Sequence, residues 1–246
     1  MIDKVVIPAA GDGKRMKKIS DNAPKELLPI VNNRVVIDYI MEEITVWGVK
    51  KLGVVINPRK EILKEYLNKN YTNFEYKYFI QTEPRGLGDA ITLVSEWIDD
   101  VFGVVLPDDV IVSEKPPMSK LKEVYDEFGS TVIGVSRSDH MRRYGVVVGE
   151  EIKDGIFLVK DLIEKPSEKI LNGLVIVGRY FLTDSIFGSI GGRNPRTGEI
   201  ELTDGLKKLM RTEDIYAVII NGFRFDCGNV EGFFEFLKYA REGVVG

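Results

Sequence analysis

The chain has 246 residues, 44% of them hydrophobic and 29% charged, and a formal net charge of -4. That is apolar material for one large or two small cores, with no composition shift that marks a disordered tail. The acidity argues against broad nucleic-acid binding, and a lone cysteine, Cys227, excludes an intrachain disulfide and a cysteine zinc site.

The opening "MIDKVVIPAAG" carries no signal-peptide pattern, and no apolar stretch approaches the ~20 residues that cross a bilayer. The expectation is a cytoplasmic protein without a nucleic-acid or membrane partner. "KVVIPAA" (Lys4–Ala10) predicts a buried strand. From Val36, apolar residues Ile37, Ile40, Met41, Ile44 and Trp47 recur at helical spacing until Gly48. "KLGVVIN" reads as a strand, Asn57-Pro58 as the start of a helix, "FEYKYFIQ" as a strand and Gly88–Trp97 as a helix. "VFGVVLPDD" is a further strand, ending in two acids. Apolar strands alternating with amphipathic helices imply a mostly parallel sheet covered on both faces. After about Thr131, "STVIGVS", "YGVVVG", "GIFLVKDLIEKP" and "LVIVGRYFLT" follow in quick succession, which predicts antiparallel additions. Helices are expected at Asp184–Ile190, Thr203–Met210 and Val230–Arg241, with "IYAVIING" as a strand between the last two. The simplest organisation is a single α/β domain over 1–246.

Basic residues gather where the first strand ends. "GDGKR" is not a P-loop, since Pro8 and Arg15 stand where that motif needs Gly and Ser/Thr. It is not a dinucleotide fingerprint either, because position 16 is Met. Glycines after a strand still allow backbone N–H groups to face an anion. Gly11 and Gly13 therefore suit a phosphate, with Arg15 and Lys25 as charged donors; Lys17 and Lys18 read as solvated surface lysines. A polyphosphate near neutral pH usually brings Mg²⁺, held by one or two carboxylates. "LPDD" and "FDCGN" offer such acids, although Asp also serves as a turn residue. Gln81, in "QTEPRGLGDA", carries a donor and an acceptor that suit a base edge, and Gly86 would let backbone approach a flat ring. A polar loop before a helix explains both equally well. "EKP" (Glu164 to Pro166) could meet a sugar and its phosphate, or be an exposed pair before a turn. His140 and Cys227 have no neighbours that suggest a nucleophile.

In order along the chain, these clusters resemble the nucleotidyltransferases that make nucleotide sugars, most closely the bacterial-type UTP–glucose-1-phosphate uridylyltransferases (UDP-glucose pyrophosphorylases). The family pattern A-G-x-G-T-R, eight residues, P-K-E-[ML]-L-P reads here "AGDGKR", "MKKISDNA", "PKELLP". "GLGDA", "LPDD", "YGVV", "EKP", "IVGRYFL", "GEIELTD" and "DCGN" follow in the family's order. The related thymidylyltransferases tend to read G-L-A, L-G-D-N and D-T-G-T instead. The chain departs from the pattern at Lys14, Lys17-Lys18, Ser20 and Gly173, and it is somewhat shorter than typical members.

The resemblance implies a Rossmann-like, mixed and mostly parallel sheet of the nucleotide-diphospho-sugar transferase type. It implies a nucleotide-binding half at about 1–130 and a sugar-phosphate-binding half at about 131–246. The implied reaction joins UTP and glucose 1-phosphate into UDP-glucose and pyrophosphate. Ala9, Ala10, Gly11 and Gly13 would meet the nucleotide, and Arg15 and Lys25 would grip its triphosphate. Gln81 and Gly86 would read uracil, and Asp108 and Asp226 would hold Mg²⁺. Gly145 and Glu164 would contact the sugar, and Lys165 its phosphate. Thymidylyl transfer, dual use of UTP and dTTP, and a catalytically silent nucleotide-sugar-binding subunit are the alternatives. A homo-oligomer is left open.

Overall fold

The computed structural model describes residues 2–21 and 23–243; Met1, Asn22 and residues 244–246 of the expected domain lie outside the described residues. In chain order the elements are β1 (Lys4–Pro8), α1 (Lys17–Ser20), α2 (Val36–Trp47), β2 (Lys51–Ile56), α3 (Glu61–Asn70), β3 (Glu75–Ile80), α4 (Leu87–Thr92), β4 (Phe102–Val105), β5 (Asp109–Val112) and α5 (Pro117–Phe128). There follow β6 (Val132–Ser136), β7 (Gly145–Lys153), β8 (Ile156–Glu164), β9 (Leu174–Leu182), α6 (Ile186–Ser189), α7 (Leu202–Leu209), β10 (Tyr216–Ile219), β11 (Phe223–Asp226) and α8 (Val230–Arg241).

One mixed sheet runs in the order β3-β2-β1-β4-β9-β6-β10-β8-β7. Strands β3, β2, β1 and β4 pair in parallel, as does β6 with β10. The remaining pairings in this sheet are antiparallel and each includes a strand of the second half, as the glycine-broken strands there predict. The central strands read as unbroken apolar runs because successive residues enter cores on opposite faces. Val5 and Ile7 join one core with α2, α5 and α8; Val6 joins the other with α4, α6 and α7. Each Val or Ile so buried contributes about 1.5–3 kcal/mol. Helix α2 buries Val36, Ile37, Ile40, Met41 and Ile44, and stops at Gly48, whose φ of 87° frees its N–H to cap the Ile44 carbonyl.

The order of the parallel strands positions the site. The chain steps from β1 to β2 and β3 on one side, then returns to place β4 on the other side of β1. Crossovers therefore part at the ends of β1 and β4 and leave a crevice there. Residues 9–15 and 106–109 border it.

Several elements differ from expectation: the helix expected over Gly88–Trp97 ends at Thr92, and α1 and β11 are not anticipated. The strand expected over 101–109 breaks after Val105: Pro107 lacks an N–H, and Asp109 starts β5, which pairs with β11 in a separate ribbon. Helix α5 is not anticipated. It carries Pro117 in its first turn and buries Met118, Leu121 and Val124 against the α2 side of the sheet.

Candidate active site

The crevice holds two cavities that meet. One, about 390 Å³, is lined by Ala10, Gly11, Gly13, Lys25, Gln81 and Gly86 among others. The second, about 240 Å³, takes in Asp108, Gly145, Glu164, Lys165 and Asp226. Arg15, Leu87 and Glu199 border both. A larger groove, about 770 Å³, lies between the ends of β5 and β10 and helix α8, and it contains none of the expected site residues.

At the glycine loop, Gly13 adopts a left-handed φ of 62° and turns the chain into the short helical turn that presents Arg15. Among the described residues, no acceptor meets the N–H groups of Ala10, Gly11, Asp12 or Gly13. A Cβ on Gly11 would meet nothing within 4 Å, so the loop faces open space there. Such a run of free N–H groups suits an anion. Ala9 lies beneath the loop. Its N–H donates to the Val55 carbonyl (2.8 Å), its carbonyl accepts from Lys60 Nζ (2.7 Å), and it lies outside the cavity lining. Both backbone groups of Ala9 thus anchor the loop. Asn57 does the same one residue on, donating to the Ala10 carbonyl at 2.7 Å.

Lys25 reaches the crevice because Glu26 faces the interior. Glu26 is fully buried, and both its carboxylate oxygens accept from Lys60 Nζ at 2.9 Å. The Lys25 ammonium pairs with the Asp108 carboxylate. Burial works against the charge on Lys25, but Asp108 and Glu26 outweigh it and raise its pKa. Burial likewise opposes the Asp108 charge, and Lys25 overcomes it, holding the carboxyl below its ordinary value.

The two neighbouring acids of "LPDD" separate. Asp109 is buried, accepts from Arg224 Nε and Nη2 at 2.8 Å each, and takes the Gly178 N–H at 2.8 Å. It is a structural acid that ties β5 to β11 and β9. Asp108 faces Asp226 across the cleft. Asp226 accepts from Tyr144 Oη at 2.8 Å and from the Gly228 N–H at 2.9 Å. Burial, then the Asp226 charge, raises the Tyr144 phenol pKa, which keeps it a donor. The Cys227 N–H donates to the Asp108 carbonyl at 2.7 Å, so the two acid-bearing turns are stitched together. Burial and then Asp108 push the Cys227 thiol up, opposite to the direction an activated nucleophile needs.

Gln81 is 5% exposed and donates from Nε2 to Asp89 Oδ2 (2.8 Å) and the Gly86 carbonyl (3.2 Å). Gly86 has a φ of 112°, and a Cβ there would lie 2.6 Å from the Ile200 carbonyl. Its glycine thus answers to the packing of 199–201 as well as to the open cavity.

At the other end, Thr203 Oγ1 donates to Glu164 Oε2 at 2.6 Å, and Lys165 Nζ sits 3.0 Å from Glu164 Oε1 and 3.2 Å from Glu201 Oε1. Burial opposes the Lys165 charge, yet these two carboxylates raise its pKa. Lys165 has a left-handed φ of 39°, held by its N–H bond to the Tyr144 carbonyl (3.0 Å). Gly145 pairs with Glu164 across β7 and β8, and a Cβ on it would crowd Thr203 Oγ1 at 2.8 Å. Of the departures from the family pattern, Gly173 has a local reason: a Cβ there would lie 2.7 Å from Val146 Cγ1. The exposed His140 takes no part.

Sequence reasoning misses Glu26, Asn57, Lys60, Tyr144, Glu199, Glu201 and Thr203. "GEIELTD" supplies the last three and matches the family in order, but nothing local says that Glu201 meets Lys165. Among the described residues no three acidic, histidine or cysteine side chains gather as a metal cluster. Two facing carboxylates suit a hard cation that keeps several waters and takes its other ligands from phosphate oxygens.

The profile of the nucleotidyl transferase family matches residues 4–242. A UTP–glucose-1-phosphate uridylyltransferase of Pseudomonas aeruginosa PAO1 is 33% identical, over 99% of this chain and 98% of its own. One from Bacillus subtilis strain 168 is also 33% identical, over 95% of this chain and 88% of its own. A UDP-glucose pyrophosphorylase solved in complex with UDP-glucose superposes with a TM-score of 0.91 at 31% identity, over 99% of this chain and 100% of its own. The chain belongs to the nucleotidyl transferase family.

Proposed function

We propose that this nucleotidyl transferase moves a uridylyl group from UTP to glucose 1-phosphate, giving UDP-glucose and pyrophosphate. The observation that carries the reading is the joined cavity. Free loop N–H groups, Arg15 and Lys25 line one end, and a Glu164–Lys165 pair lines the other together with the Asp108 and Asp226 carboxylates. The names of the relatives and of the superposed structure support the choice of substrates.

In this reading the loop N–H groups of Ala10 to Gly13, with Arg15 and Lys25, hold the triphosphate. Glu164 and Gly145 take the sugar, and Lys165 takes its phosphate. A sugar-phosphate oxygen attacks the α-phosphorus in line, the bond to the β-phosphate oxygen breaks, and pyrophosphate leaves. The nucleophile is already anionic, so no general base is needed. The work lies in bringing two anions together and in stabilising the charge that develops, which Lys165, Arg15 and Lys25 do. Asp108 and Asp226 would hold Mg²⁺, which supplies charge neutralisation at the phosphates. The halves at about 1–130 and 131–246 share the work: Glu199 and Gly228 border the nucleotide cavity, and Arg15 and Asp108 the sugar cavity.

The test is pyrophosphate release with glucose 1-phosphate and Mg²⁺ against UTP, dTTP, CTP, GTP and ATP. Strong turnover with UTP is expected. Comparable turnover with dTTP would widen the base choice, and silence with every nucleotide, alongside UTP binding, would favour a non-catalytic subunit.

A further inference from the structure

We infer that Asp89 is the positioning residue that sets base choice, by fixing which end of the Gln81 amide faces the cavity. The inference rests on the uridylyl reading and adds a residue to it. A glutamine amide can present either its oxygen or its nitrogen, and the two ends read opposite base edges. Here the direction is dictated by the surroundings. Both Nε2 hydrogens are taken, one by Asp89 Oδ2 at 2.8 Å and one by the Gly86 carbonyl at 3.2 Å, and both partners accept only. Asp89 is itself 5% exposed, sits in the first turn of α4, and has its other oxygen 2.8 Å from Arg85 Nη2. A carboxylate there cannot donate back, so turning the amide would set oxygen against oxygen at two contacts.

Gln81 Oε1 is left over. Among the described residues no donor meets it, yet it is not among the buried polar atoms sealed without a partner. Gln81 lines the nucleotide cavity, so that oxygen opens into it. The site therefore presents a fixed acceptor. An acceptor suits the N3–H of uracil or thymine, whereas cytosine carries a bare lone pair at N3. A buried acceptor left facing a lone pair is the kind of mismatch that polar sites reject strongly.

Asp89→Asn changes one atom of the side chain and lets residue 89 donate. The Gln81 amide can then turn and offer N–H to the base. We expect the ratio of kcat/KM for UTP over CTP to fall by about tenfold or more. The UTP to dTTP ratio should hold, because both bases carry N3–H, and the KM for glucose 1-phosphate should hold too. Asp89→Ala, which leaves only the Gly86 carbonyl to orient the amide, should shift the UTP to CTP ratio in the same direction. In the wild-type protein, a ¹⁵N–¹H spectrum should show both Gln81 side-chain N–H signals protected from exchange before and after UTP is added. Rapid exchange of either in the free protein overturns the inference without recourse to a variant. A folded Asp89→Asn enzyme with an unchanged UTP to CTP ratio also overturns it while leaving the uridylyl reading intact. A wild-type enzyme that does not favour UTP over CTP overturns the reading itself.

Discussion

Gly228 lies against Asp108 so closely that a Cβ there would press into Asp108 Oδ2 and stand 2.9 Å from Asp226 Oδ1. The two acids come from turns more than a hundred residues apart. The missing side chain is what lets their carboxylates face one space. Gly228→Ala should therefore lower turnover by about 10²-fold or more, since small displacements of reacting groups carry that cost. Its melting temperature should move little, because α8 keeps its own cap at Asn229. Near-normal turnover would show that the acids need not share that space.

Asp108 and Asp109 should part company on substitution. Asp108→Asn is expected to abolish most turnover and leave the protein folded. Asp109→Asn weakens a buried pairing with Arg224 and should cost about 3–5 kcal/mol in denaturant unfolding. Two matching phenotypes would contradict the separate roles.

The Glu26–Lys60 pair makes a prediction about stability. Lys60→Met leaves a fully buried carboxylate without its cation, and urea unfolding should show a loss of about 3–5 kcal/mol. The UTP KM should rise with it, because Lys60 also anchors the Ala9 carbonyl under the loop.

Much of this was open to reading in the chain, and the limits have physical causes. β1, α2 and β2 announce themselves through runs and periods that depend only on neighbours in sequence. The glycine loop and "PKELLP" show their chemistry because small residues and cations at a strand end have few other uses. Glu26 and Lys60 meet across 34 positions, so nothing local says that one lysine of the region is buried and another faces substrate. Asp108 and Asp109 look alike until Arg224 and the Gly178 N–H claim the second. Helix α5 had its signals, Pro117 in the first turn and apolar residues at helical spacing, but they follow directly on an apolar strand. β11 is short and half-exposed, and its ladder with β5 exists only because Pro107 ends β4.

The pH dependence follows from the directions of the shifts. The Asp108 carboxyl is depressed, so its contribution to stability is present above the unfolded value of about 3.9 and is lost as pH falls through its lower folded value. Lys25 is raised, so its contribution is present below about 10.4 and is lost as pH rises through its higher folded value. Lys165 is raised as well. These charges all hold across neutral pH, so kcat/KM should be flat from about pH 7 to 9. An acid limb near ~6 should come from the second ionisation of the sugar phosphate. A bell centred near 7 would point to an acid–base pair that the site does not contain.

The most direct test of the central claim follows the phosphorus. UTP labelled at the α-phosphate is incubated with glucose 1-phosphate, Mg²⁺ and the enzyme. Label should pass into UDP-glucose in step with unlabelled pyrophosphate, only when both substrates are present, and not with Asp108→Asn. Label that stays in UTP, or appears as UMP without UDP-glucose, would contradict the account.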